Sequence, residues 1–323
     1  MKKKVSYICK TILFFVPFLV VWGYCVLCPM RYLDGEAPNY IWNKQFVQTD
    51  HGGTYDVIIL GDSTANAAYM PSELSERTVN LSLGGSTTAE NYYVLKEWLA
   101  YNEAPRDVFI SFYDENLMGT PNFYAREMYS HRFDAKTNWE IIRMARKYQE
   151  PSIATEHWFS SYVSYELHLP NKYLNAAGKS IYQESRLEKN RNIIRLAEEN
   201  RGKYIAMNDT PHYNDPVKNE LFEIGDLYVY YWYELLDLCQ ENDIQVHIIK
   251  PHQPDYVTYT KYYTKCVNEF YGQLCSSYPN AEFVWDVDAS YTGDHFNDIC
   301  HMNLIGAKKF SQEMREKYPE VFR

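Results

Sequence analysis

Val57-Ile58-Ile59-Leu60-Gly61-Asp62-Ser63 is the stretch on which the fold turns. Four apolar residues in a row, three of them β-branched, suit a strand buried on both faces, and Gly61 closes it with a turn. The small residues Thr64-Ala65-Asn66-Ala67-Ala68 that follow open a helix. Working outward, the same punctuation predicts strands over 79–83, 107–113, 244–249 and 281–287, with helices over 88–102, 258–275 and 307–318 between or after them. Alternation of this kind implies an α/β fold with a five-stranded parallel sheet and helices on both faces, and places ligands beyond the carboxyl ends of the strands.

Between the third and fourth strands the pattern breaks for a segment too long to be a loop and too aromatic to be disordered. Helices are expected there over 138–148, 153–167, 186–199 and 217–240, the last crossing back into the sheet. The rest is read as a large helical insertion over about 117–215. The α/β domain with this insertion occupies 54–323.

The chain has 323 residues, 42 acidic and 32 basic, for a net charge of −10. A concentrated basic surface is absent from that balance, so nucleic acid is not an expected partner. With 46% hydrophobic and 23% charged residues the composition is that of a globular protein. Its 31 tyrosines suit amphipathic surfaces such as sugar-binding grooves, although biased composition alone would also account for them.

The amino terminus sets the expected compartment. Lys2, Lys3, Lys4 and Lys10 precede 19 uncharged residues, 11–29, the length a helix needs to cross a bilayer. The lysines of 1–10 should stay cytoplasmic and the remainder should be exported. No small-residue cleavage site follows the apolar run, where Trp22, Tyr24 and Leu27 stand instead, so an uncleaved signal-anchor is expected, with Pro17 tolerated as a kink. The polar, mixed segment 30–53 is read as a stalk. Cys9, Cys25 and Cys28 lie near the membrane, and Cys239, Cys266, Cys275 and Cys300 in the exported part lack zinc-ligand spacing. No metal and no cofactor are expected.

Three elements carry chemistry. Ser63 stands where a nucleophilic serine belongs, at a strand end beside a glycine, although a serine after Asp62 also suits a helix cap. Asp298 and His301 have the D-x-x-H spacing that lets a carboxylate hold an imidazole by Nδ1 and leaves Nε2 to take a proton. They follow the last strand and so share an edge with Ser63. Past the second strand, Gly84-Gly85 offers a backbone N–H that a developing oxyanion can use, or simply a turn.

Gly61-Asp62-Ser63, the N-x-x-x-x-G spacing of Asn80 to Gly85 and the D-x-x-H of Asp298 to His301 together resemble the SGNH/GDSL hydrolase superfamily. The resemblance implies a flavodoxin-like three-layer α/β/α sandwich and ester chemistry. It makes Ser63 the nucleophile, His301 the base and acid, Asp298 the orienting carboxylate, and the N–H groups of Ser63 and Gly85 the oxyanion hole. The chain departs from the family's third block, usually G-x-N-D: Tyr113-Asp114-Glu115-Asn116 has no glycine, and Asn116 is the candidate for the missing oxyanion donor.

Anchor, insertion and the ending D-x-C-H-x-N-x-x-G-A are similar to the membrane-anchored branch that works in teichoic-acid D-alanylation and polysaccharide O-acetylation beside membrane-bound O-acyltransferases. By that analogy an acyl group passes through Ser63 to a sugar hydroxyl or to water. The alternatives are an SGNH-like protein that binds glycan or an acyltransferase without catalysis, and a lysophospholipase-like enzyme with an apolar groove. His252 is expected as a loop histidine rather than a substrate ligand.

Overall fold

The computed structural model describes residues 2–27, 32–33, 35, 37–211, 215–286 and 291–323. Pro29 and Val287, where the apolar run and the fifth strand were expected to end, lie outside them. In chain order the elements begin with α1 (Lys2–Leu27), α2 (Ala37–Val47), β1 (Val57–Gly61), α3 (Ser63–Ala68), α4 (Pro71–Leu74), β2 (Thr78–Asn80), α5 (Thr88–Tyr101) and β3 (Asp107–Ser111). There follow α6 (Ala135–Lys147), α7 (Trp158–Glu166), α8 (Asn171–Tyr182), α9 (Glu184–Glu199), β4 (Val217–Asn219) and α10 (Asp226–Glu241). The chain closes with β5 (Gln245–Ile249), β6 (Val257–Tyr259), α11 (Lys261–Ser276), β7 (Ala281–Val284) and α12 (Leu304–Lys317).

Five strands form one parallel sheet in the order β2-β1-β3-β5-β7. Every residue of β1 and β3 is buried, as the continuous apolar runs require. Successive side chains go to opposite faces. Ile58, Leu60, Val108 and Ile110 join the core beneath α5 and α10, whereas Val57, Ile59 and Phe109 join the core beneath α3 and α12. β1 lies inside the sheet between β2 and β3, buried on both faces, and its carboxyl end carries Ser63.

Several elements depart from the sequence reading. The helix expected over 217–240 starts only at Asp226, because Val217–Asn219 pairs in parallel with Val257–Tyr259 as a second, two-stranded sheet. That pairing also delays the following helix from 258 to 261. The strand expected to reach Tyr113 stops at Ser111, since the Tyr113 N–H turns to the Asp62 carboxylate at 2.8 Å. The helix expected over 153–167 forms only from Trp158, and α8 fills a stretch read without a helix.

The stalk reading of 30–53 is corrected most clearly. Tyr40, Trp42, Asn43 and Val47 of α2 are buried in the body, with Asn43 Nδ2 donating to Leu81 O at 2.9 Å and Tyr40 Oη to Gly84 O at 2.9 Å. Polar side chains that read as solvent-facing are here satisfied by loop carbonyls. In contrast, α1 is almost wholly exposed over Lys10–Leu27 and is long and apolar enough to cross a membrane, with Pro17 inside it.

Candidate active site

Gly61 is forced by geometry. Its φ is +135°, and a Cβ there would stand 1.9 Å from Ser111 O on the neighbouring strand. Its N–H is held by Asn91 Oδ1 at 2.8 Å, and Ser86 Oγ donates to its carbonyl at 2.8 Å. The turn so fixed delivers Asp62 into the protein, fully buried, as the N-cap of α3. Its Oδ1 accepts from the Thr64 N–H at 2.8 Å and Thr64 Oγ1 at 2.7 Å, and its Oδ2 from the Tyr113 N–H at 2.8 Å and Asn116 Nδ2 at 2.6 Å. Burial raises the Asp62 pKa, against the pull of those four donors. Ser63 follows as the first residue of α3, half-buried at the strand end.

The second element is the Gly84-Gly85 turn. Gly85 has φ +65°, and its carbonyl accepts from Arg126 Nη2 at 2.7 Å. Arg126 also donates from Nε to Glu127 Oε1 at 2.8 Å, and Tyr40 Oη reaches the same oxygen at 3.3 Å. Glu127 is completely buried, which pushes its pKa up to about 8 despite Arg126; Glu90 adds to the rise. Arg126, Glu127 and Tyr40 thus form a hydrogen-bonded bracket behind the turn. Sequence reasoning missed it because Arg126 and Glu127 lie in an insertion without a readable motif and Tyr40 in the segment read as a stalk.

The third element is a short hairpin. Phe296 and Met302 form an antiparallel bridge, and the Asn297 N–H donates to His301 O at 2.8 Å, which puts Asp298 and His301 at the tip. Asp298 Oδ2 meets His301 Nδ1 at 2.7 Å, while Oδ1 accepts the N–H groups of Cys300 and His301 at 2.9 and 2.8 Å. Burial would raise the Asp298 pKa; the His301 imidazole and the two N–H groups outweigh it and hold it at about 2. The D-x-C-H-x-N-x-x-G ending has a local cause. Asn303 caps α12 through the Gly306 N–H, and a Cβ on Gly306 would lie 2.2 Å from His295 O. From the insertion, Asn208 Oδ1 and Thr210 O accept from Asn297 Nδ2 at 2.8 and 2.5 Å and steady the hairpin.

Thr64, next to Ser63, and Cys300, next to His301, line one small crevice with Tyr113 and Lys250. The structure therefore brings the predicted residues to one edge of the sheet. It does not close the Ser63–His301 contact: among the described residues no hydrogen bond joins Ser63 Oγ to His301. Asn116 sits at the site with one amide hydrogen on Asp62, and the Gly85 N–H makes no hydrogen bond among the described residues. Asp114 is paired with the crevice lysine, Oδ2 lying 2.5 Å from Lys250 Nζ, and Glu115 is exposed. His252 stacks on Tyr291 at 4.7 Å and also lines that crevice.

Asp298, Cys300 and His301 present donor atoms within 4.8 Å of one another, close enough for a metal. Yet the carboxylate and Nδ1 already engage each other, and burial raises the Cys300 pKa, away from the thiolate a soft metal needs. Cys25, Cys239, Cys266, Cys275 and Cys300 are all free thiols. No protein-family model matches the chain, and no curated protein matches it either.

Proposed function

We propose that the chain is an extracytoplasmic serine-dependent acyl-ester enzyme, an O-acyltransferase or esterase of SGNH type acting on cell-envelope or exported polysaccharide through an acyl-Ser63 intermediate. The observation that carries the reading is the 2.7 Å contact from Asp298 to His301 Nδ1, on the sheet edge that carries Ser63. A sheet whose strands, counted along the chain, run 2-1-3-4-5 supports the flavodoxin-like assignment.

In this reading Ser63 Oγ attacks an acyl carbonyl and passes its proton to His301 Nε2. The leaving alcohol takes that proton, and Ser63 keeps the acyl group. A sugar hydroxyl or water then attacks the ester, gives its proton to His301 and restores Ser63. The N–H groups of Ser63 and Gly85, with the second amide hydrogen of Asn116, are assigned to the oxyanion. A glycan is the proposed acceptor, and a membrane-bound O-acyltransferase the proposed donor partner.

The test is labelling of the 323-residue chain by a serine-reactive fluorophosphonate, beside Ser63→Ala and His301→Ala. Labelling lost in both variants supports the enzyme. A folded wild-type chain that does not label favours the second reading, a non-catalytic SGNH-like glycan-binding or acyltransferase-partner protein, for which the open Ser63–His301 contact speaks.

A further inference from the structure

The geometry points to a second membrane contact: the 167–169 turn and α8 lie in the outer leaflet of the bilayer that α1 crosses, so the domain is seated on lipid by an in-plane helix as well as by its anchor.

The outer turns of α1 are built into the insertion. Trp22 Nε1 donates to Leu167 O at 2.7 Å, Tyr24 Oη meets Ser180 Oγ, and Cys25 shares a buried cluster with Tyr173, Ala176 and Ala177. Trp22 is five residues short of the end of the apolar span at Leu27, or about 7.5 Å of helix rise. A group bonded to it lies at that depth, within the roughly 5–10 Å to which interfacial helices sink. The two bonded positions on α1 are two residues apart, about 3 Å of rise, whereas their partners are separated by the turn and most of α8. This segment therefore runs across α1, in the plane of the membrane.

Its side chains fit that placement. Around α8, Tyr173, Ala176 and Ala177 face the body and are buried. Leu174, Ile181 and Tyr182, spaced i, i+7 and i+8, form a neighbouring stripe that is 52%, 76% and 71% exposed. Lys172, Asn175 and Lys179 occupy the third, polar side, where Lys172 Nζ donates to Ala125 O at 3.2 Å and lies over the Tyr129 ring. Leu167 and Leu169, also exposed, extend the apolar stripe through the turn. The outer leaflet is the occupant favoured here, because the turn that carries the exposed Leu167 and Leu169 is bonded to Trp22 within the apolar span of α1; a protein cover is the competing outcome.

The test uses the full chain in phosphatidylcholine–phosphatidylglycerol vesicles that contain a lipid with a diazirine within its acyl chain. After irradiation, the modified residues are mapped by mass spectrometry. Label on α1 and also on Leu169, Leu174, Ile181 or Tyr182 is the expected result. Label confined to α1, whether α8 is then water-accessible or covered by a second copy, overturns the proposal. Leu169→Ser/Ile181→Ser/Tyr182→Ser should lose the α8 label and keep that on α1. The wild-type map decides even if that variant folds poorly, and it is independent of whether Ser63 reacts.

Discussion

The Asp62 carboxylate and the Asn116 side-chain amide meet at 2.6 Å, which ties the segment after β3 to the turn after β1. Residues 114–117 form a tight 3-10 turn whose entry, the Tyr113 N–H, and whose Asn116 side chain both end on Asp62. Asp114 is turned to Lys250, which also lies over the Tyr259, Tyr263 and Trp285 rings. Of the two acidic residues in the block, one is thus neutralised and the other exposed, so the sequence departure does not set a buried negative charge against an oxyanion.

Asn116→Asp should make stability depend on pH. Two carboxylates in this contact cannot both ionise, so the folded-state pKa of one rises above its unfolded value near 3.9. A raised acid contributes stability that is present below the unfolded pKa and lost as pH climbs. Urea unfolding should show a small loss at pH 4 and a loss of about 2–4 kcal/mol at pH 8. Asn116→Ala, which removes one bond to a buried charge, should lose about 1.5–3 kcal/mol at both. Equal losses for Asn116→Asp at the two pH values would refute the contact.

Asp298→Asn should lower the rate of fluorophosphonate labelling by roughly 10³- to 10⁴-fold, because the imidazole loses the partner that fixes its Nδ1 proton. His301→Ala should fall as far, and the double variant no further, since the two act as a unit. The Asp298 pKa of about 2 is a depressed acid, so its contribution to stability is present above its ordinary value near 3.8 and fades as pH falls towards 2. Its side chain is 42% exposed, so solvent screens the effect, and the kinetic readout decides. Labelling kinetics unchanged in Asp298→Asn would remove the pair from the mechanism.

Much of the site was legible because it is local. Gly61, Asp62 and Ser63 are consecutive, Asp298 and His301 fall on one turn, and the strand ends that carry them follow from apolar runs. What could not be read is built from distant residues. Asn43 and Tyr40 look like polar stalk residues until their partners, the Leu81 and Gly84 carbonyls, are in place. Val217–Asn219 has no strand signal of its own and acquires one only by pairing with Val257–Tyr259. Asn208, in a stretch without a readable motif, accepts from Asn297 and so holds the hairpin that carries Asp298 and His301.

Arg126→Met should destabilise the fold by about 1–3 kcal/mol, since it leaves the buried Glu127 carboxyl and the Gly85 carbonyl without the donor they share. Adding Glu127→Gln should recover at least about 1 kcal/mol, a coupling that a denaturation cycle measures. Labelling of Ser63 should remain slow in the double variant, because the peptide after Gly85 is still unheld. Gly85→Ala should slow it too, by placing a Cβ 1.9 Å from Arg126 Nη1 at a left-handed φ. Full recovery of labelling in the Arg126→Met/Glu127→Gln chain would leave the bracket a purely structural role.

Lys203 ties the insertion to the helix that carries Ser63. Its Nζ is buried and donates to the carbonyls of Asn66, Ala67 and Ile205 at 3.2, 2.5 and 3.3 Å, closing the carboxyl end of α3. Burial lowers its pKa to about 7, against 10.5 for a free lysine. Between those values the unfolded chain binds more protons than the folded one, so this group makes stability rise with pH from 7 to 10.5. Glu127, raised to about 8, pulls the other way only as far as that pH. The measurement is therefore the difference between wild type and Lys203→Met in urea midpoint at pH 7 and pH 9. Wild type should gain about 2 kcal/mol on the variant over that interval. A constant difference would mean that the three carbonyls keep the ammonium charged throughout, so that Lys203 acts as a fixed positive cap on α3 rather than as a titrating one.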